Sequence, residues 1–168
     1  MVKSAYRLLA LDSHNSQLGT SNSDGLKQLW NGIWKLQVPN KVRHFIWRAS
    51  GESLPTCCNL RFRHVVSGNV YSLCEEHPEG VIHCLWTCDH VKCIWFSDPT
   101  FNSPRSRFFS RFNDLVSFVL SETSPSIAAL LTMVAWCIWV RRNKVRERQQ
   151  VWDVGEIVKR AWDLLQEF

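Results

Sequence analysis

The stretch from Cys74 to Cys93 constrains this chain more than any other. It holds Cys74, His77, His83, Cys84, Cys88, His90 and Cys93, and their thiolate and imidazole groups are the ligands zinc prefers, four at a time in a tetrahedron. The spacing Cys74-x8-His83-x4-Cys88 supplies three ligands of a knuckle-like site. A cysteine three residues before Cys74 would complete it, but that residue is Tyr71, and a phenol is a poor zinc ligand beside a thiolate. His77, in a loop, is one substitute for the fourth position. Cys84 is another, although it directly follows His83 and would diverge from it on a helix. A water molecule is the third, and would leave an open site of catalytic type. Glu75, Glu76 and Glu79 are too generic in placement to be read as a general base for it.

The seven cysteines are an odd number, and Met1 to Ala10 shows no secretory pattern. Reduced thiols are therefore expected rather than a disulfide framework.

On either side of this centre the apolar residues fall at helical spacing. Val2–Leu11 reads as a short helix and Asp12–Asp24, rich in Ser, Asn and Gly, as a loop. Leu26, Leu29, Trp30, Ile33 and Trp34 make one apolar face, ended by Pro39. In the next helix Val42, Phe45, Ile46 and Ala49 face inward, while Lys41, His44 and Arg48 line another side. Thr56 is placed to cap a helix running to about His64. Residues 67–80 read as a loop or hairpin, followed by short helices over 81–87 and 90–96 and a linker marked by Pro99 and Pro104. Phe108, Phe112, Leu115, Val116 and Val119 predict a further helix. Ser124-Pro125 opens another, apolar on every side to Val140 and basic from Arg141 to Arg148, so its first half is expected to be buried and its second half solvated. Asp153 and Glu156 resemble a capping box for a last helix with Val154, Ile157, Val158, Ala161, Trp162 and Leu165 on one stripe. The expected fold is mainly α, a small helical domain with a central zinc-knuckle-like loop or short hairpin.

The run Leu29 to Ala49 (LWNGIWKLQVPNKVRHFIWRA) resembles the signature of the reverse-transcriptase zinc-binding domain of plant non-LTR (LINE-type) retrotransposons. Leu54-Pro55-Thr56 and Asn59-Leu60-Arg61-Phe62-Arg63 continue the likeness, as do Cys74, Glu79, His83, Cys88 and Trp95. Upstream, Val2 to Leu9 looks like the helix that opens that domain. Downstream, Trp136 to Asn143 is similar to the helix that links it to a ribonuclease H domain. The family pattern has Cys-x2-Cys where this chain has Tyr71 and Cys74. The resemblance implies zinc as cofactor, held by Cys74, His83 and Cys88. It implies a domain over 1–97, begun inside the family pattern, and a helical linker region over 98–168 that would precede an absent ribonuclease H domain. It also implies a fragment of a polyprotein without polymerase or nuclease active sites, hence no enzyme. No paired-aspartate polymerase signature and no acidic cluster suited to two-metal chemistry is visible in the sequence.

Charge distribution bears on partners. Residues 26–63 carry seven Lys/Arg against Glu52, residues 64–100 five acids against Lys92, and residues 125–149 five bases against Glu147. RNA or DNA, bound without sequence preference, would use the first and third blocks. Lys41, Arg43, His44, Arg48, Arg61 and Arg63, interleaved with aromatics, are the candidate phosphate contacts. Trp30 and Trp34 are read as core because they match the apolar face, and Trp47 lies off it. Polymerase and ribonuclease H domains of a parent polyprotein are further expected partners. The apolar run Ile127–Val140 is shorter than the roughly 20 residues a membrane helix needs, so no membrane partner is expected, and nucleus or cytoplasm fits better than secretion. The function expected is a non-catalytic, zinc- and nucleic-acid-binding accessory module. The alternative is a protein-interaction or structural remnant that has lost both ligands.

Overall fold

The computed structural model describes residues 20–168, and the helix expected over Val2–Leu11 lies outside them. The described chain is helical: α1 Thr20–Lys35, α2 Asn40–Ser50, α3 Cys57–Phe62, a π-helical turn His83–Thr87, α4 Asp89–Phe96, a 3-10 turn Pro99–Phe101, α5 Asn102–Arg105, α6 Phe112–Glu122, α7 Pro125–Arg146, a 3-10 turn Val154–Glu156 and α8 Ile157–Gln166. Among these residues the sole β-type pairing is an antiparallel bridge between Val70 and Pro78, which makes the centre a short hairpin.

Helix α7 is the axis of the fold. Ser124 caps it, its hydroxyl accepting from Ile127 N–H at 3.3 Å, and Pro125 fills the first turn where no N–H is needed. From Ala128 to Ala135 every side chain is buried. Helices α2, α6 and α8 and the π-turn all pack on it, so one apolar cluster joins side chains from 20–97 and 98–168. Trp139 of α7 meets Phe45 of α2 with ring centroids 6.2 Å apart. The α2 face is as read from the sequence, with Val42, Phe45, Ile46 and Ala49 buried. Thr56 caps α3 as expected, accepting from Asn59 N–H at 3.3 Å, although the helix stops at Phe62.

Four expectations are corrected. Helix α1 already begins at Thr20, inside the expected loop, because a helix held by a packed face extends through residues of modest propensity. Its buried face is narrower than the sequence pattern: Leu29 and Ile33 are buried, but Leu26 and Trp34 are each 42% exposed. Phe108 precedes α6 rather than joining its face and is 89% exposed. The 99–105 linker is two helical turns pinned by the fully buried Phe101, which packs edge-on against Trp95.

Candidate metal centre

The hairpin and the π-turn build this site together. Tyr71 N–H donates to His77 C=O at 2.9 Å and Glu79 N–H to Asn69 C=O at 2.7 Å, which closes the loop 71–77. Within it Glu75 N–H donates back to Tyr71 C=O at 2.8 Å, and Glu75 takes the left-handed conformation, φ 55°. The reversal brings Cys74 and His77 to one side. Opposite, Cys88 N–H donates to His83 C=O at 3.0 Å, five residues back. An α-helix would place residues 83 and 88 on different faces. The wider π-turn sets the second nearly above the first, so both border the same pocket. Trp95 Nε1 donates to Leu85 C=O at 2.9 Å and fixes α4 to the turn.

Cys74 Sγ lies 3.4 Å from His83 Nε2, and one ligand atom from each of Cys74, His77 and His83 falls within 4.8 Å of the others. Tetrahedral zinc with bonds of about 2.0–2.3 Å separates its ligands by about 3.5 Å, so this donor set fits zinc. Thr87 Oγ1 stands 3.5 Å from His83 Nδ1. With Nδ1–H turned to it, Nε2 carries the lone pair toward Cys74. Burial, then the neighbouring His77, lowers the His83 pKa and favours the neutral ring a metal needs. Cys88 is buried beside Cys74, and burial followed by that neighbour raises its thiol pKa without a metal. His77 is exposed and its ring lies 5.4 Å from that of His83.

Of the other candidates, His90 is exposed and borders the same pocket, while Cys84, Cys93 and Tyr71 are placed otherwise. Cys84 is buried with its thiol toward Val81 C=O at 3.5 Å. Cys93 is exposed, its thiol on His90 C=O at 3.2 Å. Tyr71 is fully buried, its ring edge-on to His83 at 5.7 Å and its hydroxyl without a protein partner. A buried hydroxyl lacking a partner costs about 1–3 kcal/mol. Tyr71→Phe is therefore expected to raise Tm by about 2–12 °C, at about 2–4 °C per kcal/mol, with metal content unchanged, as followed by calorimetry. A loss of metal in that variant would make the phenol a ligand instead.

Behind the pocket stands a residue whose role the sequence did not disclose. Glu79 is 1% exposed and accepts from Arg142 Nε at 2.6 Å and from Arg142 Nη2. It also accepts from Cys57 N–H at 2.7 Å, at the start of α3. Arg142, expected on a solvated helix end, is 3% exposed. One carboxylate thus ties the hairpin to α3 and α7.

The expected phosphate contacts form two groups. Lys41, His44 and Arg48 are exposed along one stripe of α2, with Trp34 edge-on to His44 at 5.2 Å and Trp47 40% exposed. Lys41 Nζ sits 4.6 Å over the Trp136 ring, and Arg48 donates to Ser53 C=O at 3.2 Å. Arg43 is half-buried and donates to Trp34 C=O at 3.2 Å. Arg61 and Arg63 are exposed apart from these, at the end of α3. Trp34, read as core, is thus a surface ring.

A family described as zinc-binding in reverse transcriptase matches residues 1–95. The chain belongs to that family. A protein of Arabidopsis thaliana named as a candidate ribonuclease H is 29% identical over 94 residues, which cover 56% of this chain and 14% of that relative. No solved structure matches the chain. Membership of this zinc-binding family agrees with the donor set, and among the described residues no helix is long and apolar enough to cross a membrane.

Proposed function

We propose that the chain is an accessory module that holds nucleic acid for a reverse transcriptase, with zinc bound by Cys74, His77, His83 and Cys88. Zinc would staple the hairpin to the π-turn; the chain's own residues do the binding. The reading is carried by α2, where Lys41, His44 and Arg48 share the surface with Trp34 and Trp47. Cations beside exposed rings suit single-stranded nucleic acid, whose phosphates pair and whose bases stack. Arg43 contributes by holding Trp34 in place, and Arg61 and Arg63 extend the charge. The family and the named relative support a parent polyprotein, in which 98–168 would lead toward a ribonuclease H domain, at work in nucleus or cytoplasm. No catalytic role is assigned to this portion.

Salt tests the proposal. Binding of single-stranded RNA or DNA should weaken with salt at a slope of about −0.7 per phosphate neutralised, so about −1.4 for the two full charges of the α2 stripe, Lys41 and Arg48. Arg48→Ala should reduce the slope by about one contact's worth, read by fluorescence anisotropy across a salt series. An affinity flat in salt would sink the reading and favour a structural remnant.

A further inference from the structure

A second groove, lined by the π-turn, α4, Arg105 of α5 and the segment after it, adjoins the metal centre, with which it shares Thr87 and Lys92, but contains none of its candidate ligands and lies apart from the α2 stripe. Trp86 and Phe109, each 8% exposed and edge-on at 6.4 Å, form its floor. Phe96 and Phe108 border it and are 64% and 89% exposed. Its volume of about 370 Å³ falls within the range of sites that enclose small ligands, roughly 300–1,000 Å³. Neighbouring exposed rings of this size are a patch that water solvates poorly.

The rim is cationic. Arg105 lies 4.3 Å from the Phe96 ring centroid, held there by donating to Trp95 C=O at 3.0 Å and to Asn102 Oδ1. Two of its five N–H donors are so used, which leaves three. Arg107 sits 4.6 Å over the Phe118 ring. Among the described residues neither guanidinium has a carboxylate at ion-pair distance, whereas Lys92 is paired with Asp89 at 2.7 Å. An occupant must therefore offer a flat apolar face and negative charge beside it. An aliphatic or basic peptide offers neither the charge nor the plane. A nucleotide offers both, provided its base is not already paired and stacked in a duplex.

We propose that this groove receives an unpaired base of single-stranded nucleic acid, stacked on Phe108 and Phe96, with the adjoining phosphates on Arg105 and Arg107. The proposal rests on the nucleic-acid reading of the preceding subsection and adds a site that selects single strands. The α2 cations alone would not distinguish them from duplex.

The test uses the full chain, a fluorescein-labelled oligothymidylate and a blunt DNA duplex of equal length. Phe108→Ala and Phe96→Ala remove exposed rings and should not disturb the core. Each is expected to weaken single-strand binding by about tenfold and to leave duplex binding unchanged, while Arg48→Ala weakens both. If the phenylalanine variants bind single strands as wild type does and Arg48→Ala does not, the groove is overturned and the α2 reading stands. If wild type binds neither probe, both fall. If Phe108→Ala instead abolishes self-association without altering nucleic-acid affinity, a second copy covers the groove and the proposal is wrong.

Discussion

Glu79→Ala should lower the unfolding free energy by about 3–5 kcal/mol, a large part of the 5–15 kcal/mol of a typical domain. The carboxylate holds both Arg142 nitrogens and the Cys57 N–H, and its backbone adds two more links, to Asn69 C=O and from Cys58 N–H. Truncation leaves a guanidinium at 3% exposure with Asn143 Oδ1 at 2.9 Å and the Trp139 ring at 4.7 Å as its remaining partners. Most of the loss is the cost of that unpaired charge rather than the worth of the pair. Glu79→Leu with Arg142→Met should therefore be far milder than either single change, because neither charge is left buried. Urea unfolding of the three variants decides it. A single-variant cost below about 1 kcal/mol, the level of an exposed pair, would mean that water reaches the pair.

The same comparison has a pH signature. Burial pushes the Glu79 carboxyl up, but the hydrogen bonds from Arg142 and Cys57 and the Arg142 charge outweigh it and hold its pKa below the ordinary value. A depressed folded pKa gives stability that is present above the unfolded value, about 4.3, and is lost as pH falls through the folded one. The wild type's advantage over the single Arg142→Met variant should thus be full near neutrality and shrink in acid below about pH 4.

That pair also shows where sequence reading stops. The α2 face was legible because its information is local: four apolar residues at helical spacing fix which side is buried. Glu79 and Arg142 are 63 positions apart. Each looks solvated in its own window, and nothing in either window names the other. The resemblance did single out Glu79 but gave it no contact. Trp34 was misread for the opposite reason. Its spacing matches Ile33 and Trp30, but periodicity gives a direction and not the width of the face the neighbours cover. For the metal centre, the ligand types and the hairpin were legible from composition and turn residues. The π-turn was not, since one short turn of i→i+5 bonds leaves no periodic trace in the sequence, and it is this turn that sets Cys88 beside the His83 side of the pocket. The sequence likewise offered Cys84, His77 or water for the fourth position. Only the packing turns Cys84 inward.

Purified chain is expected to hold one zinc, and removing it should cost more than any single core substitution. Structural zinc in small fingers is worth about 10–16 kcal/mol at neutral pH. Here the loss will be smaller, because the α7 cluster stands on apolar packing away from the site. Chelation should loosen the hairpin and π-turn while most helix remains, seen as fast amide exchange confined to about residues 70–96 beside a nearly unchanged far-UV spectrum. Cys74→Ser, His83→Ala and Cys88→Ser should each reduce affinity at least 100-fold, since even outer partners of a ligand are worth 10–100-fold. His77→Ala separates the possibilities for the fourth position. An equal loss makes His77 the ligand that replaces the cysteine absent at position 71. An undiminished affinity in His77→Ala, with zinc lost in Tyr71→Phe, would give that place to the phenol. If the native chain binds no zinc but Tyr71→Cys does, the three remaining ligands are too few, and the cluster of thiol and imidazole at 3.4 Å is a packed relic of the family's site.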